Sequence, residues 1–236
     1  MDKGTNPNIA MLELAVEYLG DLAERVVFVG GCTTGLLISD NTAPAIRVTQ
    51  DVDVITDVDL KGYYKLQESL RDKGFNEDLR SDAPICRWRN GEITLDVMPV
   101  DPHVFGFGSE WFKPALEAAQ LISLPSGKQI KLITGPYFLA CKFSAYESRG
   151  DGDYLLSHDI EDIVALLDAR EELTEEILTS DMDLKSYLSE CFDHLLRDNR
   201  FLEALPGIMP GDAGSQARIP IVLSRIEAIL NQIKES

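Results

Sequence analysis

Thr49-Gln50-Asp51-Val52-Asp53-Val54-Ile55 sets two aspartates into an otherwise apolar, β-branched run. Such runs favour strands, and aspartate is depleted in them. On a strand, residues two apart point to the same face, about 6.5–7 Å apart along the chain. Asp51 and Asp53 therefore project together, while Val52 and Val54 pack on the other side. Two carboxylates held this way repel each other unless a cation lies between them, and hard oxygen donors with open positions suit Mg²⁺ or Mn²⁺. A solvated strand face explains the same alternation.

Upstream, 26–29 reads as a short buried strand that runs into Gly30-Gly31-Cys32-Thr33-Thr34-Gly35, and 33–39 as a short helix. Glycines at a strand-to-helix turn let a phosphate approach the backbone, and a helix start offers it free N–H groups. Many such turns hold glycine without binding anything, and this one matches neither the P-loop nor the dinucleotide fingerprint. Downstream, Glu92-Ile93-Thr94-Leu95-Asp96-Val97-Met98 carries a third aspartate in an apolar strand. A neighbouring strand could bring Asp96 beside Asp51 and Asp53. It could equally be a strand-end residue, since Pro99 follows.

Farther out, Ile9, Leu12, Ala15, Val16, Leu19, Leu22 and Ala23 recur at helical spacing and predict a helix over 8–24. A strand is expected over 47–55 and a helix over 60–73. Hairpins are expected about Asn90-Gly91 and Ser126-Gly127. After Gly135-Pro136 the strand signal stops. Helices are expected over 137–148, 157–170, 184–205 and 219–233, with 206–215 as a loop. The fold class is α+β: a mixed sheet flanked by helices over 1–136, then a helical region over 137–236.

The charge is strongly acidic, with 40 Asp+Glu against 22 Lys+Arg and a net −18. This disfavours non-specific attraction to nucleic acid or anionic lipid, although a local basic groove would still allow RNA. Cys32, Cys86, Cys141 and Cys191 are widely spaced and form no CxxC pair, so they read as reduced thiols rather than zinc ligands or disulfides. The opening MDKGTNPNIA lacks a basic segment followed by an apolar one. A cytoplasmic protein without membrane attachment is expected. His103, His158 and His194 occur singly, and no GxSxG elbow is present. Lys142 lies inside an apolar helical run, where an ammonium is costly unless it meets an anion or reaches the surface.

Taken together, a GG turn after a strand, a DxD about twenty residues on, and a lone strand Asp resemble the DNA polymerase β-like nucleotidyltransferase superfamily. The resemblance is closest to its AbiEii/MenT-type branch, the toxin-like enzymes of type IV toxin–antitoxin systems. The matching residues are Gly30-Gly31-Cys32-Thr33-Thr34, Arg47-Val48-Thr49-Gln50-Asp51-Val52-Asp53, Asp96, Lys142 and His158-Asp159-Ile160-Glu161-Asp162. They span about 26–170, and the last sixty-odd residues match nothing. Cys32 stands where the superfamily often has Ser or Thr, and His158 where the branch often has Lys.

The resemblance implies a metal-dependent nucleotidyltransferase, with Mg²⁺ (or Mn²⁺) held by Asp51, Asp53 and Asp96 and an NTP as substrate. Gly30, Gly31, Thr33, Thr34, Arg47 and Lys142 would contact the nucleotide, and Asp159 would face the nucleotide or Lys142. Asp51, Asp53, Asp96 and Lys142 would serve catalysis, Asp96 by aiding deprotonation of the acceptor. The acceptor would be an RNA 3′ end, a protein side chain or a small molecule, and a cognate antitoxin protein would be a partner. Two alternatives stand beside this reading. One is a non-catalytic nucleotide- or partner-binding protein that retains the fold, and the other is a fold-alike with an unrelated small-ligand pocket.

Overall fold

The computed structural model describes residues 6–106, 108–149 and 152–235. Residues 1–5, part of the opening considered above, lie outside this set. The chain divides into two compact units, 1–35 with 47–134, and 36–46 with 135–236. The sequence pattern placed a division after 136 and gave 36–46 no separate role.

The first unit is built on seven strands: β1 Val27–Val29, β2 Val52–Thr56, β3 Asn76–Glu77, β4 Arg87–Asn90, β5 Ile93–Pro99, β6 Gln120–Ser123 and β7 Gln129–Leu132. They form one mixed sheet in the order β3-β4-β5-β2-β1-β7-β6, with β2–β5 and β1–β7 parallel and the other pairs antiparallel. With its flanking helices this is the α+β class expected.

Alternation sets the two faces of the central strands. Val52, Val54, Trp88, Leu95 and Val97 are buried in the core, each at most 1 % exposed. The strand expected over 47–55 starts only at Val52, because Arg47 and Thr49 bond to a helix instead of a neighbouring strand. That helix, α1 Pro7–Leu19, starts with Pro7 behind an Asn6 cap that accepts from Asn8 N. It turns at Gly20 into a 3-10 segment, Gly20–Arg25, so the helix expected over 8–24 is two pieces.

Asn8 is 1 % exposed, and its amide clips the chain ahead of β2. Its Nδ2 donates to the Arg47 carbonyl at 2.9 Å, and its Oδ1 accepts from Thr49 N at 3.0 Å. Asn8→Ala removes both bonds and strands a buried backbone N–H. A loss of about 1–3 kcal/mol is expected in urea unfolding, with the 47–51 stretch becoming the first site of proteolytic cleavage.

Between the strands, the unit adds α3 Leu60–Asp72 and α4 Phe112–Glu117, while α2 Thr34–Leu37 runs across the division after residue 35. The first hairpin forms as expected, with its loop shifted by one residue. Asn90 pairs with Ile93, leaving Gly91-Glu92 as the loop, and Gly91 takes φ +56.

The second unit is helical: α5 Gly135–Arg149, α6 His158–Ala169, α7 Leu173–Leu178, α8 Met182–Arg197, α9 Asn199–Ile208, α10 Ala213–Gln216 and α11 Ile219–Glu235. Its core includes Ile160, Ile163 and Leu167 of α6, Leu188 and Phe192 of α8, and Val222, Ile226 and Ile229 of α11. The helix expected over 184–205 breaks at Asp198. Asp198 is extended (φ −86, ψ 104), caps α9 by accepting from Arg200 N, and also accepts from Tyr154 Oη at 3.0 Å. These bonds outcompete helix continuation. The expected loop 206–215 is partly helical, taking in the end of α9 and the start of α10.

The 36–46 stretch joins this unit through Arg218. Its guanidinium donates to Asp40 at 2.6 Å and to both oxygens of Asp168 at 2.8 and 2.9 Å. Ser39 N and Asp40 N donate to the Ala169 carbonyl.

Candidate functional site

Register pairs Asp53 with Asp96 on the first unit's sheet, and Arg87 links Asp51 to Asp96. Val29 pairs with Asp53 across β1–β2, Asp53 with Asp96 across β2–β5, and Asp96 with Arg87 across β5–β4. Paired residues of adjacent strands share a face, so one lateral row reads Val29, Asp53, Asp96, Arg87. Asp51 stands two residues ahead of Asp53, just before β2 begins.

Arg87 is the residue that sequence reading missed. Its Nε donates to Asp96 Oδ1 at 2.8 Å, and its Nη2 donates to Asp96 Oδ2 at 2.7 Å and to Asp51 Oδ2 at 2.6 Å. One planar guanidinium thus grips Asp96 with two donors and ties Asp51 to it. The Arg87 side chain is only 20 % exposed and that of Asp96 only 9 %. The hydrogen bonds to Asp96 raise the Arg87 pKa above its already high value, so its charge is permanent. The sequence did hold a signal: an Arg two residues before Arg89 in a strand that pairs with the Asp96 strand.

Gly30 fixes the other side of the row. It adopts φ +74 and ψ −176, a region open essentially to glycine alone. A Cβ there would lie 1.9 Å from Asp53 Oδ2 and 2.6 Å from its Cγ. The absence of a side chain at Gly30 is thus what makes room for the Asp53 carboxylate. Behind it, Gly31–Thr33 forms a 3-10 turn into α2.

The hydroxyls of this turn face inward. Thr33 is fully buried, and its Oγ1 donates to the Gly30 carbonyl at 2.8 Å. Cys32 is also fully buried, with Sγ donating to the Val29 carbonyl at 3.4 Å. Thr34 is 1 % exposed, and its Oγ1 has no partner among the described residues. Arg47 is half-buried, and its carbonyl is held by Asn8. Cys86, one residue before Arg87, is buried near Asp96 and Asp53. Burial first, and those carboxylates second, push its thiol up to about 12, so it stays neutral.

Lys142 and Asp159 belong to the second unit and come together there. Lys142 Nζ lies 3.1 Å from Asp159 Oδ1 and 2.5 Å from Asp162 Oδ2, and 5.7 Å from the centre of the Phe138 ring. Lys142 is 8 % exposed and Asp162 2 %. Arg149 adds a bond to Asp159 at 3.0 Å. Ser157 caps α6 by accepting from Ile160 N, as its position predicts. The anions that meet the buried ammonium are therefore two aspartates of the next helix. The same unit holds a cleft of about 360 Å³ lined by Ile38, Pro44, Ile46, Val164 and Met209.

The donor set on the sheet suits a hard divalent cation: three carboxylates from β2, its approach and β5, with Arg87 already holding positive charge between two of them. Among the described residues, no three metal-ligating side chains stand in a ready-made coordination cluster. No helix among the described residues is long and apolar enough to cross a membrane.

No protein-family model matches the chain, and no curated protein matches it. Among solved structures, the chain is similar to JHP933 from Helicobacter pylori. That match has 12 % identity over 97 % of this chain and 94 % of that one, with a TM-score of 0.51. Another match is described as an antigenic nucleotidyltransferase-like protein from Paracoccidioides brasiliensis. It has 18 % identity over 85 % of this chain and 94 % of that one, with a TM-score of 0.49. At such identities the likeness to JHP933 is one of fold alone, and nothing further rests on the second match.

Proposed function

We propose that the protein is a metal-dependent nucleotidyltransferase that moves an NMP from an NTP to an acceptor hydroxyl. The observation that carries this reading is the lateral row. Asp53 and Asp96 are register partners on adjacent parallel strands, Arg87 links Asp51 to Asp96, and a glycine turn packs directly on Asp53.

Mg²⁺ or Mn²⁺ held by Asp51, Asp53 and Asp96 would supply charge neutralisation on the triphosphate and make the acceptor oxygen more nucleophilic. The chain's own residues do the rest. Gly30 and Gly31 keep side chains away from the place where phosphate oxygens approach. Thr34 holds the hydroxyl of this turn that is not already bonded within it. Asp96 has lone pairs beyond the two that Arg87 occupies, and one of these can take the acceptor proton. Arg47, Lys142 and Asp159 remain candidates for nucleotide contact, Lys142 in exchange for one of its aspartates.

The AbiEii/MenT-type pattern suggests a toxin-like enzyme with an RNA or protein acceptor and an antitoxin partner. The net charge of −18 favours protein over RNA.

A second reading has its own support. Arg87 already bonds Asp51 and Asp96 and offsets part of their charge, which fits a non-catalytic binding protein that retains this fold. The deciding experiment incubates each α-labelled NTP with Mg²⁺, cell extract and either wild type or Asp51→Ala/Asp53→Ala. Label transfer by wild type alone is expected. If neither protein transfers label while Mg²⁺ and NTP still bind, the non-catalytic reading replaces the first.

A further inference from the structure

We propose that Arg87 is a built-in competitor for the metal position: its guanidinium stands in for a cation among the carboxylates and must leave Asp51 when a divalent ion binds. This rests on the metal site of the proposed function and adds the residue that sets its affinity.

Three observations carry it. First, Arg87 is in register with Asp96 on the neighbouring strand, so the sheet itself delivers its side chain to the carboxylate row. Second, the grip is uneven. Two donors reach the two oxygens of Asp96, in the manner of a fork, whereas Asp51 receives a single bond, from an Nη2 that Asp96 shares. Third, the two carboxylates differ in freedom. Asp96 is in the middle of a paired strand and its side chain is 9 % exposed, while Asp51 precedes the first residue of β2 and its side chain is 33 % exposed. The Asp51 end is therefore where the guanidinium lets go.

Without a divalent ion, Arg87 keeps clustered carboxylates from repelling one another and holds them near their working positions. With one, the same positive charge opposes the ion. Charges a few ångströms apart in a half-buried site interact strongly, so neutralising residue 87 is expected to tighten divalent binding at least about tenfold. The variant also loses its internal counter-ion, so it melts lower than wild type in EDTA and recovers more on adding the ion.

The probe is Mn²⁺, read in nucleotide-free protein from the electron paramagnetic resonance signal of the unbound ion and from melting temperature. Wild type, Arg87→Gln and Arg87→Lys are compared. Arg87→Gln is expected to bind Mn²⁺ at least about tenfold more tightly and to gain the largest melting shift. Arg87→Lys falls between, because an ammonium keeps the charge but cannot set two parallel donors on the two oxygens of Asp96.

Equal or weaker Mn²⁺ binding by Arg87→Gln overturns the competition. Absence of Mn²⁺ binding in all three proteins overturns the metal reading beneath it, a separate outcome. Should Arg87→Gln fail to fold, the wild-type Nε–H resonance of Arg87 decides. A shift on saturation with Mg²⁺ is expected, and an unmoved resonance refutes the proposal.

Discussion

Gly30→Ala is expected to destabilise the first unit by roughly 3–5 kcal/mol and to abolish the nucleotidyl transfer proposed for it. Two costs add. At φ +74 and ψ −176 the backbone is strained for any residue with a side chain, by about 1–3 kcal/mol. The new methyl would also sit 1.9 Å from Asp53 Oδ2 and 2.8 Å from Asp53 Cβ. Rotating the carboxylate away relieves the first contact but leaves the second, so β1 and β2 must move apart, at a further cost typical of overpacking.

Because Val29 and Asp53 are register partners, that movement displaces the carboxylate from the row it shares with Asp96. Urea unfolding and the labelled-NTP assay read the two effects. Repeating the substitution in an Asp53→Ala background removes the contacts at Oδ2 and Cγ, so the stability penalty there should shrink by about 1 kcal/mol or more. A Gly30→Ala protein within about 1 kcal/mol of wild type would show that the row does not depend on this close approach.

Lys142→Met should cost roughly 3–5 kcal/mol, because it leaves Asp159 and Asp162 without their shared ammonium and Asp162 only 2 % exposed. The triple change Lys142→Met/Asp159→Asn/Asp162→Asn should recover much of that loss, since no buried charge is then left unpaired. The recovery separates the two roles open to Lys142. A purely structural lysine gives a triple variant that melts near wild type and keeps its KM for NTP. If Lys142 or Asp159 also meets the nucleotide, the melting is the same and KM is raised about tenfold or more, and Asp159→Asn alone, which leaves Lys142 bonded to Asp162, tells the two residues apart. If the single variant melts like wild type, the buried pairing is unimportant to the helical unit.

How much the sequence revealed can be followed at particular residues. Alternation in Thr49–Ile55 showed which side of β2 is core, and the apolar surroundings of Asp96 marked it as an oddity in a strand. Both follow from the two-residue repeat of a strand, which needs no tertiary information. Helical periodicity likewise foretold α1, α3, α6 and α11. It failed at Asp198, where one carboxylate accepting from Arg200 N and Tyr154 Oη ended a helix that the apolar spacing alone would have continued. It also missed the placing of 36–46, which is secured by Arg218 from far along the chain.

Local pattern, then, determined the α+β class, the turn at Gly30-Gly31 and the identity of the three aspartates, because faces of strands and helices are fixed by spacing along the chain. Which strands lie side by side is a matter of long-range pairing. That pairing put Asp53 opposite Asp96 and seated Arg87 between Asp96 and Asp51, and the packing of α5 on α6 gave Lys142 two aspartates as partners. Each of those partnerships joins groups on different elements, so no reading of one stretch at a time could supply them.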